Sequence, residues 1–180
     1  MMDQSIDHVI QPDFGEARLD ALQRHAFAYF LNEANAAHSL VADRTEPGAP
    51  ASIAAVGFAL AAYPVGVERG WMTRTDAIER TLTLLRFFWT SPQGAAGDVT
   101  GYKGFYYHFL DMTTGARAGQ CELSTVDTSF LLAGMLAAAV YFDQDSEAER
   151  EIRTLADALY RRADWPWACD GGATVTHGWK

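Results

Sequence analysis

The sequence has no excess of basic residues. It contains 14 Lys and Arg against 23 Asp and Glu, so its formal net charge is -9 at pH 7. Nucleic acids and anionic membrane surfaces are bound through patches of Lys and Arg. The acidic balance therefore argues against both classes of partner.

Long hydrophobic runs are also missing. No apolar stretch approaches the roughly 20 residues that a membrane-spanning helix needs, so we expect no membrane segment in this chain. The first residues, MMDQSIDHVIQPDFGE, are acidic and contain no hydrophobic region of a signal peptide. This favours the cytoplasm, whereas a start further upstream would allow the periplasm, so the sequence does not fix the compartment.

Cysteine is scarce, and familiar metal-binding motifs are absent. Cys121 and Cys169 are the only cysteines. They can form one disulfide or act as small apolar core residues, and the second interpretation is preferred because free Cys is commonly buried. The five His residues show no HExxH or related spacing. We therefore expect neither a metal site nor a cofactor.

What the sequence does contain is helical periodicity in a chain of ordinary globular composition. Its 180 residues are 49% hydrophobic and 21% charged, which fits one domain with a sizeable core. Residues 1–14 are predicted to be an N-terminal arm and residues 15–180 the domain. Five segments are predicted to be helical: 15–34, 52–63, 73–89, 124–142 and 146–163.

The predicted helices alternate between two kinds. Helices 15–34, 73–89 and 146–163 are amphipathic, as surface helices are, whereas 52–63 and 124–142 are apolar all round and must be enclosed by others. Two concentric layers of helical hairpins predict an all-α fold, an α/α toroid. Because five helices are fewer than a closed toroid needs, we expect an incomplete half in which the chain ends inside the fold.

The long connections are expected to carry function. The links from outer to inner helices, residues 35–51 and 90–123 and the tail from 164, are long, whereas the inner-to-outer links are short. The long links of a toroid emerge at one end, and long loops on a rigid scaffold are common functional sites. The aromatic and acidic segment GFYYHFLDMTTGARAGQCELSTVDT lies mostly in the longest link, where a short β-hairpin is predicted within residues 98–120.

Several acidic residues lie in or beside these loops. Carboxylates bind sugar hydroxyls, and glycosidic cleavage needs two carboxyl groups that flank the bond. Glu122 precedes the predicted start of helix 124–142, and a functional role and that of a solvated loop acid are both open. Asp127 forms a capping-box pattern with Ser124, so helix capping and a catalytic role are both open. Asp111 begins a predicted TTG turn, where a purely local role is slightly preferred.

Aromatic residues beside these acids are candidates for substrate binding, because aromatic faces stack on sugar rings. In the predicted strand FYY, Phe105 and Tyr107 share one face. One face is expected to pack and the other to line the cleft. His108 is more readily a hydrogen-bonded structural residue than a general base, and we list it with Tyr107 as a substrate-binding candidate.

Two further pairs of residues each have two possible roles. Asp43 and Arg44 precede the predicted helix 52–63 and either bind a sugar hydroxyl or brace the loops. Trp165 and Trp167 either form a stacking platform for sugar or pack at the base of their loop. The sequence does not decide between these roles.

Five motifs, in order along the chain, resemble the glucoamylase-like family, which includes bacterial endo-β-1,2-glucanases and the related domain of cyclic β-1,2-glucan synthases. The motifs are NEANAAHSLVADR, SIAAVGFALAAYPVGVERGW, GFYYHFLDMTTGAR, CELSTVDTSFLLAGML and IRTLADALYRRADWPWA. The resemblance implies an (α/α)6 toroid, here its N-terminal half, and a β-1,2-linked glucan as substrate. At the matching motif positions it implies Asp111, Glu122 and Asp127 as cleft acids, without assigning acid and base.

The sequence therefore predicts a glycoside hydrolase domain for β-1,2-glucan that works by carboxylate general acid/base catalysis. Two alternatives are a non-catalytic glucan-binding or scaffold module and the transglycosylating domain of a cyclic glucan synthase. The expected partner is a β-glucan oligo- or polysaccharide. Because half a toroid leaves inner helices uncovered, their apolar faces are also expected to drive self-association.

Overall fold

The computed structural model describes residues 13–179 and consists mainly of helices arranged in hairpins. The predicted N-terminal arm, residues 1–14, lies almost wholly outside the described residues. The five predicted helices are confirmed, and α2 continues through Pro64 beyond its predicted end. A short sixth helix, α6, was not predicted. The bounds are α1 Asp13–Asn32, α2 Ile53–Glu68, α3 Arg74–Thr90, α4 Thr125–Tyr141, α5 Glu147–Arg162 and α6 Trp165–Ala168.

Hydroxyl side chains begin four of these helices. Ser52, Thr73, Ser124 and Ser146 each accept a hydrogen bond from the backbone N–H three residues further along. Each cap satisfies one of the amides that a helix N-terminus leaves without an intrahelical partner. The capping-box pattern predicted at Ser124 is therefore confirmed.

The two apolar helices form the inner layer and pack directly on each other. Their contact depends on glycine, because a Cβ on Gly134 would lie 2.1 Å from the carbonyl oxygen of Gly57. A Cβ on Gly57 would likewise lie 2.4 Å from the carbonyl oxygen of Phe130. The amphipathic helices α3 and α5 pack on each other and on this inner pair. The predicted layering of an α/α toroid is confirmed.

One apolar side of the inner pair stays uncovered among the described residues. Phe58 on α2 is 51% exposed, and Phe130 and Val140 on α4 are 46% and 80% exposed. The Phe58 and Phe130 rings contact each other, with centroids 5.4 Å apart. Large apolar side chains are usually buried, so this face is suited to contact with further protein.

Short strands lie at the N-terminal ends of the two inner helices. They form a two-stranded sheet, β1–β4, and a four-stranded sheet in the order β2–β3–β5–β6, with all pairs antiparallel. The hairpin predicted within residues 98–120 is confirmed as β2–β3, but the sheet extends well beyond it. The bounds are β1 Ala51–Ser52, β2 Gly101–Tyr102, β3 Phe105–Tyr107, β4 Phe109–Leu110, β5 Leu123–Ser124 and β6 Gly178–Trp179.

Strand β3 is buried on both faces, so the expectation that one of its faces lines a cleft is wrong. Phe105 and Tyr106 are 0% exposed, and Tyr107 is 7% exposed. The Tyr106 hydroxyl donates to the carbonyl of Phe88 at 3.1 Å and accepts a hydrogen bond from Arg162. The second face is therefore covered by the outer helices, and this burial raises the pKa of Tyr106.

The two cysteines, Cys121 and Cys169, are free thiols, and both are half-buried. Among the described residues, no helix is both long enough and apolar enough to cross a membrane.

Candidate active site

Strands β3 and β5 bring His108 and Glu122 together. Tyr107 pairs with Leu123 in antiparallel register. His108, directly after Tyr107, therefore lies opposite Glu122, directly before Leu123. The His108 N–H donates to the Glu122 carbonyl at 3.0 Å, and His108 Nδ1 lies 2.9 Å from Glu122 Oε1. The His108 carbonyl accepts from the N–H of Ile53 at 3.2 Å. The pair is thus fixed to the beginning of α2.

Asp127 joins this pair from the first turn of α4. Its Oδ1 lies 3.7 Å from His108 Nε2. Its Oδ2 accepts a hydrogen bond from the Ser124 hydroxyl at 2.5 Å, and the same hydroxyl accepts from the Asp127 N–H. The helix N-terminus places partial positive charge beside this carboxylate. Asp127 therefore belongs to the capping box and also faces the imidazole.

The cluster of His108, Glu122 and Asp127 is open to a ligand. Their side chains are 27%, 30% and 17% exposed. The ring of Phe109 stacks on the imidazole at a centroid distance of 3.9 Å and an angle of 15°. The cluster is a polar, acidic patch beside an aromatic ring, at the end of the fold where the long loops emerge.

The same three residues are a candidate set of metal ligands, which the sequence did not suggest. Each offers one ligand atom, and these atoms all lie within 4.8 Å of one another. However, the imidazole contacts the two acids through different nitrogens, with Nδ1 2.9 Å from Glu122 Oε1 and Nε2 3.7 Å from Asp127 Oδ1. The contact of Nδ1 with Glu122 is already at hydrogen-bond distance. The arrangement fits a hydrogen-bonded acid pair better, and the absence of a metal site stays a prediction.

Asp111 closes a turn and lies outside the cluster. Its Oδ1 accepts hydrogen bonds from the N–H and hydroxyl of Thr114 and from the N–H of Thr113, at 2.8, 3.0 and 2.9 Å. These hydrogen bonds, those of Thr114 first, hold the pKa of the Asp111 carboxyl below its usual value. The structure gives Asp111 a local role in the TTG turn, and its role as a catalytic acid stays a prediction.

Tyr107 offers no open face for a sugar ring. The guanidinium of Arg117 lies 4.4 Å from the centroid of the Tyr107 ring. Arg117 Nε also donates to the carbonyl of Cys121 at 2.7 Å, directly before Glu122. This role of Arg117 was not predicted from the sequence, although Arg117 is the one cation in the aromatic and acidic segment 104–128. Arg117 and Tyr107 together support the chain segment that carries Glu122.

Trp165 and Trp167 belong to a packed aromatic cluster. Trp167 stacks on Trp179 at 4.0 Å, and Trp165 meets the ring of Phe105 edge-on at 5.2 Å. Lys103 Nζ lies 5.2 Å from the Trp167 ring. Of the two alternatives, these contacts favour a packed loop base over an open stacking platform.

Asp43 and Arg44 line a cavity of about 560 Å³ beside the beginning of α2. Arg44 pairs with the Asp43 carboxylate at 3.2 Å and with Glu46 at 2.5 Å, so the pair braces its own loop. Ser52 also lines this cavity and pairs in register with Phe109, whose ring stacks on His108. The cavity therefore adjoins the acidic cluster.

Comparisons with known proteins bear on what this arrangement does. No family model matches the chain. The chain is 32% identical over 171 residues to an exo β-1,2-glucooligosaccharide sophorohydrolase (non-reducing end) of Parabacteroides distasonis. It is also similar to a crystal structure of a β-1,2-glucanase from Parabacteroides distasonis, at 27% identity and a TM-score of 0.77. A Bacteroides uniformis protein assigned as a glucoamylase matches at 29% identity and a TM-score of 0.80.

The resemblance to the glucoamylase-like family is confirmed. The match covers 91% of this chain but 22% of the sophorohydrolase. Against the solved structures, it covers 94% of this chain and 24% of the β-1,2-glucanase, and 90% of this chain and 39% of the Bacteroides uniformis protein. The chain thus spans a minor part of each glucoamylase-like relative, which agrees with an incomplete toroid.

Proposed function

We propose that this chain supplies part of the active site of a glycoside hydrolase that acts on β-1,2-linked glucan. The observation that carries the proposal is the His108–Glu122–Asp127 cluster at the loop end of the inner helices. The similarity to a sophorohydrolase and a β-1,2-glucanase supports the reaction and the linkage. Hydrolysis of a glycosidic bond needs positioned carboxyl groups, and this cluster supplies two.

Glu122 is the acid that we assign to proton transfer. Its side chain is 30% exposed, against 17% for Asp127. Each acid has one oxygen held within the protein, Asp127 Oδ2 by the Ser124 hydroxyl at 2.5 Å and Glu122 Oε1 by His108 at 2.9 Å, so the assignment rests on exposure. We assign Asp127 to holding the imidazole and a substrate hydroxyl.

The separation of the two acids limits how they can share the reaction. One oxygen of each lies within 4.8 Å of the other. Inverting enzymes keep their carboxyl groups about 6.5–9.5 Å apart to admit a water molecule, whereas retaining enzymes keep them about 5–5.5 Å apart. A product with retained anomeric configuration would allow both acids to act. An inverted product would pair Glu122 with an acid outside this cluster.

For substrate contact beyond the reacting bond, we propose the cavity that Asp43 and Arg44 line. It adjoins the cluster through Ser52 and Phe109, and its walls include aromatic side chains. Tyr107, Trp165 and Trp167 are assigned to supporting this end of the fold, because their rings are occupied by neighbouring side chains.

Two proposals concern the chain as a physical unit. We propose that residues 15–180 form one domain, because α1 packs on α2 and β6 pairs with β5 near the other end of the chain. We also propose that the isolated chain associates with itself through the exposed apolar side of α2 and α4. The exposure of Phe58, Phe130 and Val140 supports this second proposal.

The test of the function is Glu122→Gln in the full-length protein, measured as release of reducing ends from β-1,2-glucan. We expect turnover to fall about 100-fold or more, because general acid catalysis typically contributes 10²–10⁴-fold. Glu16→Gln, on the exposed first turn of α1, is the matched control and should leave turnover unchanged. Turnover of Glu122→Gln near that of the control would remove Glu122 from the mechanism.

A further inference from the structure

Three kinds of contact restrain the imidazole of His108. Its backbone is fixed by hydrogen bonds to Glu122 and from Ile53, at 3.0 and 3.2 Å. Its ring stacks on Phe109 at 3.9 Å. Nδ1 lies 2.9 Å from Glu122 Oε1. A side chain restrained by its own backbone, a stacked ring and a hydrogen bond has little freedom to follow a substrate.

The two ring nitrogens face different acids. The 2.9 Å contact of Nδ1 with Glu122 is a hydrogen bond, whereas Nε2 is 3.7 Å from Asp127 Oδ1, too far for a direct one. When Glu122 is ionised, its carboxylate only accepts hydrogen bonds, so Nδ1 then carries the proton in this contact. In that state His108 donates to Glu122, whether the ring is neutral or charged.

Two carboxylates this close repel each other, and a nearby hydrogen-bond donor reduces that repulsion. The imidazole contacts both acids, with Nδ1 2.9 Å from Glu122 Oε1 and Nε2 3.7 Å from Asp127 Oδ1. We propose that His108 is the positioning residue of the acid pair, fixing the Glu122 carboxylate through Nδ1 and facing Asp127 with Nε2. This assignment rests on the proposed hydrolase function, and it replaces the substrate-binding role predicted from the sequence.

The first test needs no glucan and uses the full chain labelled with ¹⁵N-histidine. Long-range ¹H–¹⁵N spectra distinguish a proton on Nδ1 from a proton on Nε2. We expect a proton on His108 Nδ1 and a changed signal in the nearly isosteric Glu122→Gln variant. The exposed His25 on α1 is the internal reference and should not respond. A His108 ring with Nδ1 unprotonated, or one whose ¹⁵N signals are the same in wild type and in Glu122→Gln, would overturn the proposal.

The second test separates positioning from substrate binding by kinetics in the full-length protein. His108→Ala should lower kcat by about 100-fold, because a displaced catalytic group costs rate even when substrate still binds. KM should change by less than about 3-fold, since the ground-state contacts remain. His108→Asn keeps an amide donor close to the Nδ1 position and should recover part of kcat.

The outcomes of these tests distinguish a failure of the positioning role of His108 from a failure of the proposed hydrolase function. A raised KM with unchanged kcat in His108→Ala would return His108 to substrate binding and overturn the positioning role. If the wild-type protein does not cleave β-1,2-glucan, the proposed function fails, while the ¹⁵N spectra still decide whether His108 holds Glu122.

Discussion

Arg74 holds the carboxylate of Glu149 with two parallel hydrogen bonds, from Nε to Oε1 and from Nη2 to Oε2, each 2.9 Å long. The Glu149 side chain is 1% exposed and that of Arg74 25%. This pair joins the first turn of α3 to the first turn of α5, so it ties the two outer helices together. The hydrogen bonds from Arg74, and then one from the Gln144 N–H, hold the pKa of Glu149 below its usual value.

We predict that Glu149→Gln destabilises the fold by about 3–5 kcal/mol, because removing one partner leaves the other charge without compensation. The free energy of unfolding from urea titrations measures this. The control is Glu151→Gln, whose bidentate pair with Arg86 is more exposed, at 35% and 57%, and is expected to contribute about 0–1 kcal/mol. Equal losses in the two variants would contradict the claim that the Arg74–Glu149 pair stabilises the contact between α3 and α5 more than the exposed pair does.

The same contact predicts how stability depends on pH. Because the folded-state pKa of Glu149 lies below the unfolded value, its contribution is fully present above the unfolded value of about 4.5. It is lost as the pH falls through the folded-state pKa. Thermal unfolding of wild-type protein between pH 7 and pH 3 should show this acid loss. In Glu149→Gln the decline should be smaller, and an identical decline would contradict the assignment.

The contact between Gly57 and Gly134 predicts that α2 and α4 have no room for a side chain larger than that of glycine at these positions. Gly134→Ala would bring a Cβ to 2.1 Å from a backbone oxygen, so the helices must separate. We expect a loss of about 1–3 kcal/mol or more in the free energy of unfolding. Gly15→Ala is the control, since a Cβ there meets nothing within 4 Å and alanine favours a helix. A neutral Gly134→Ala would show that α2 and α4 do not pack this closely.

The uncovered apolar side of the inner helices predicts concentration-dependent association of the isolated chain. Light scattering coupled to gel filtration should detect species larger than a monomer. The double variant Phe58→Gln with Phe130→Gln should shift the chain towards monomer. Leu22→Gln, at a 65% exposed apolar position on α1, should not. A wild-type chain that is monomeric with full helix content would contradict the proposed self-association.

Asp111 and Glu122 should behave differently when changed. Asp111→Ala removes the acceptor of three hydrogen bonds in one turn, so we expect a stability loss of about 1 kcal/mol. Turnover of β-1,2-glucan should stay within a few-fold of wild type, as measured in the full-length protein at saturating substrate. A loss as large as that predicted for Glu122→Gln would place Asp111 in the reaction.

The helical layers could be predicted from the sequence because their signals are local. The Ala- and Gly-rich segments that became α2 and α4 are apolar all round, and the capping hydroxyls of Thr73, Ser124 and Ser146 mark where helices begin. Each of these patterns is read within a few turns of helix. No long-range pairing is needed to recognise them.

The site could be predicted only as a set of residues, not as an arrangement. Glu122 meets His108 because β3 and β5 pair in one register, and two- or three-residue strands carry no periodicity that specifies it. The pairing of Ser124 with Gly178 joins positions still further apart in the chain. Burial of Tyr107 likewise involves Arg117, which lies outside the strand and which the strand's own sequence does not describe.

The most direct test of the account is a crystal structure of full-length protein carrying Glu122→Gln with bound sophorotriose. We predict that the substituted amide side chain at position 122 lies within hydrogen-bond distance, about 3 Å, of a glycosidic oxygen of the sugar. The chain of sugars should continue towards the cavity beside Asp43 and Arg44. Sophorotriose bound with its glycosidic oxygens away from position 122 would contradict the assignment of this cluster as the reactive centre.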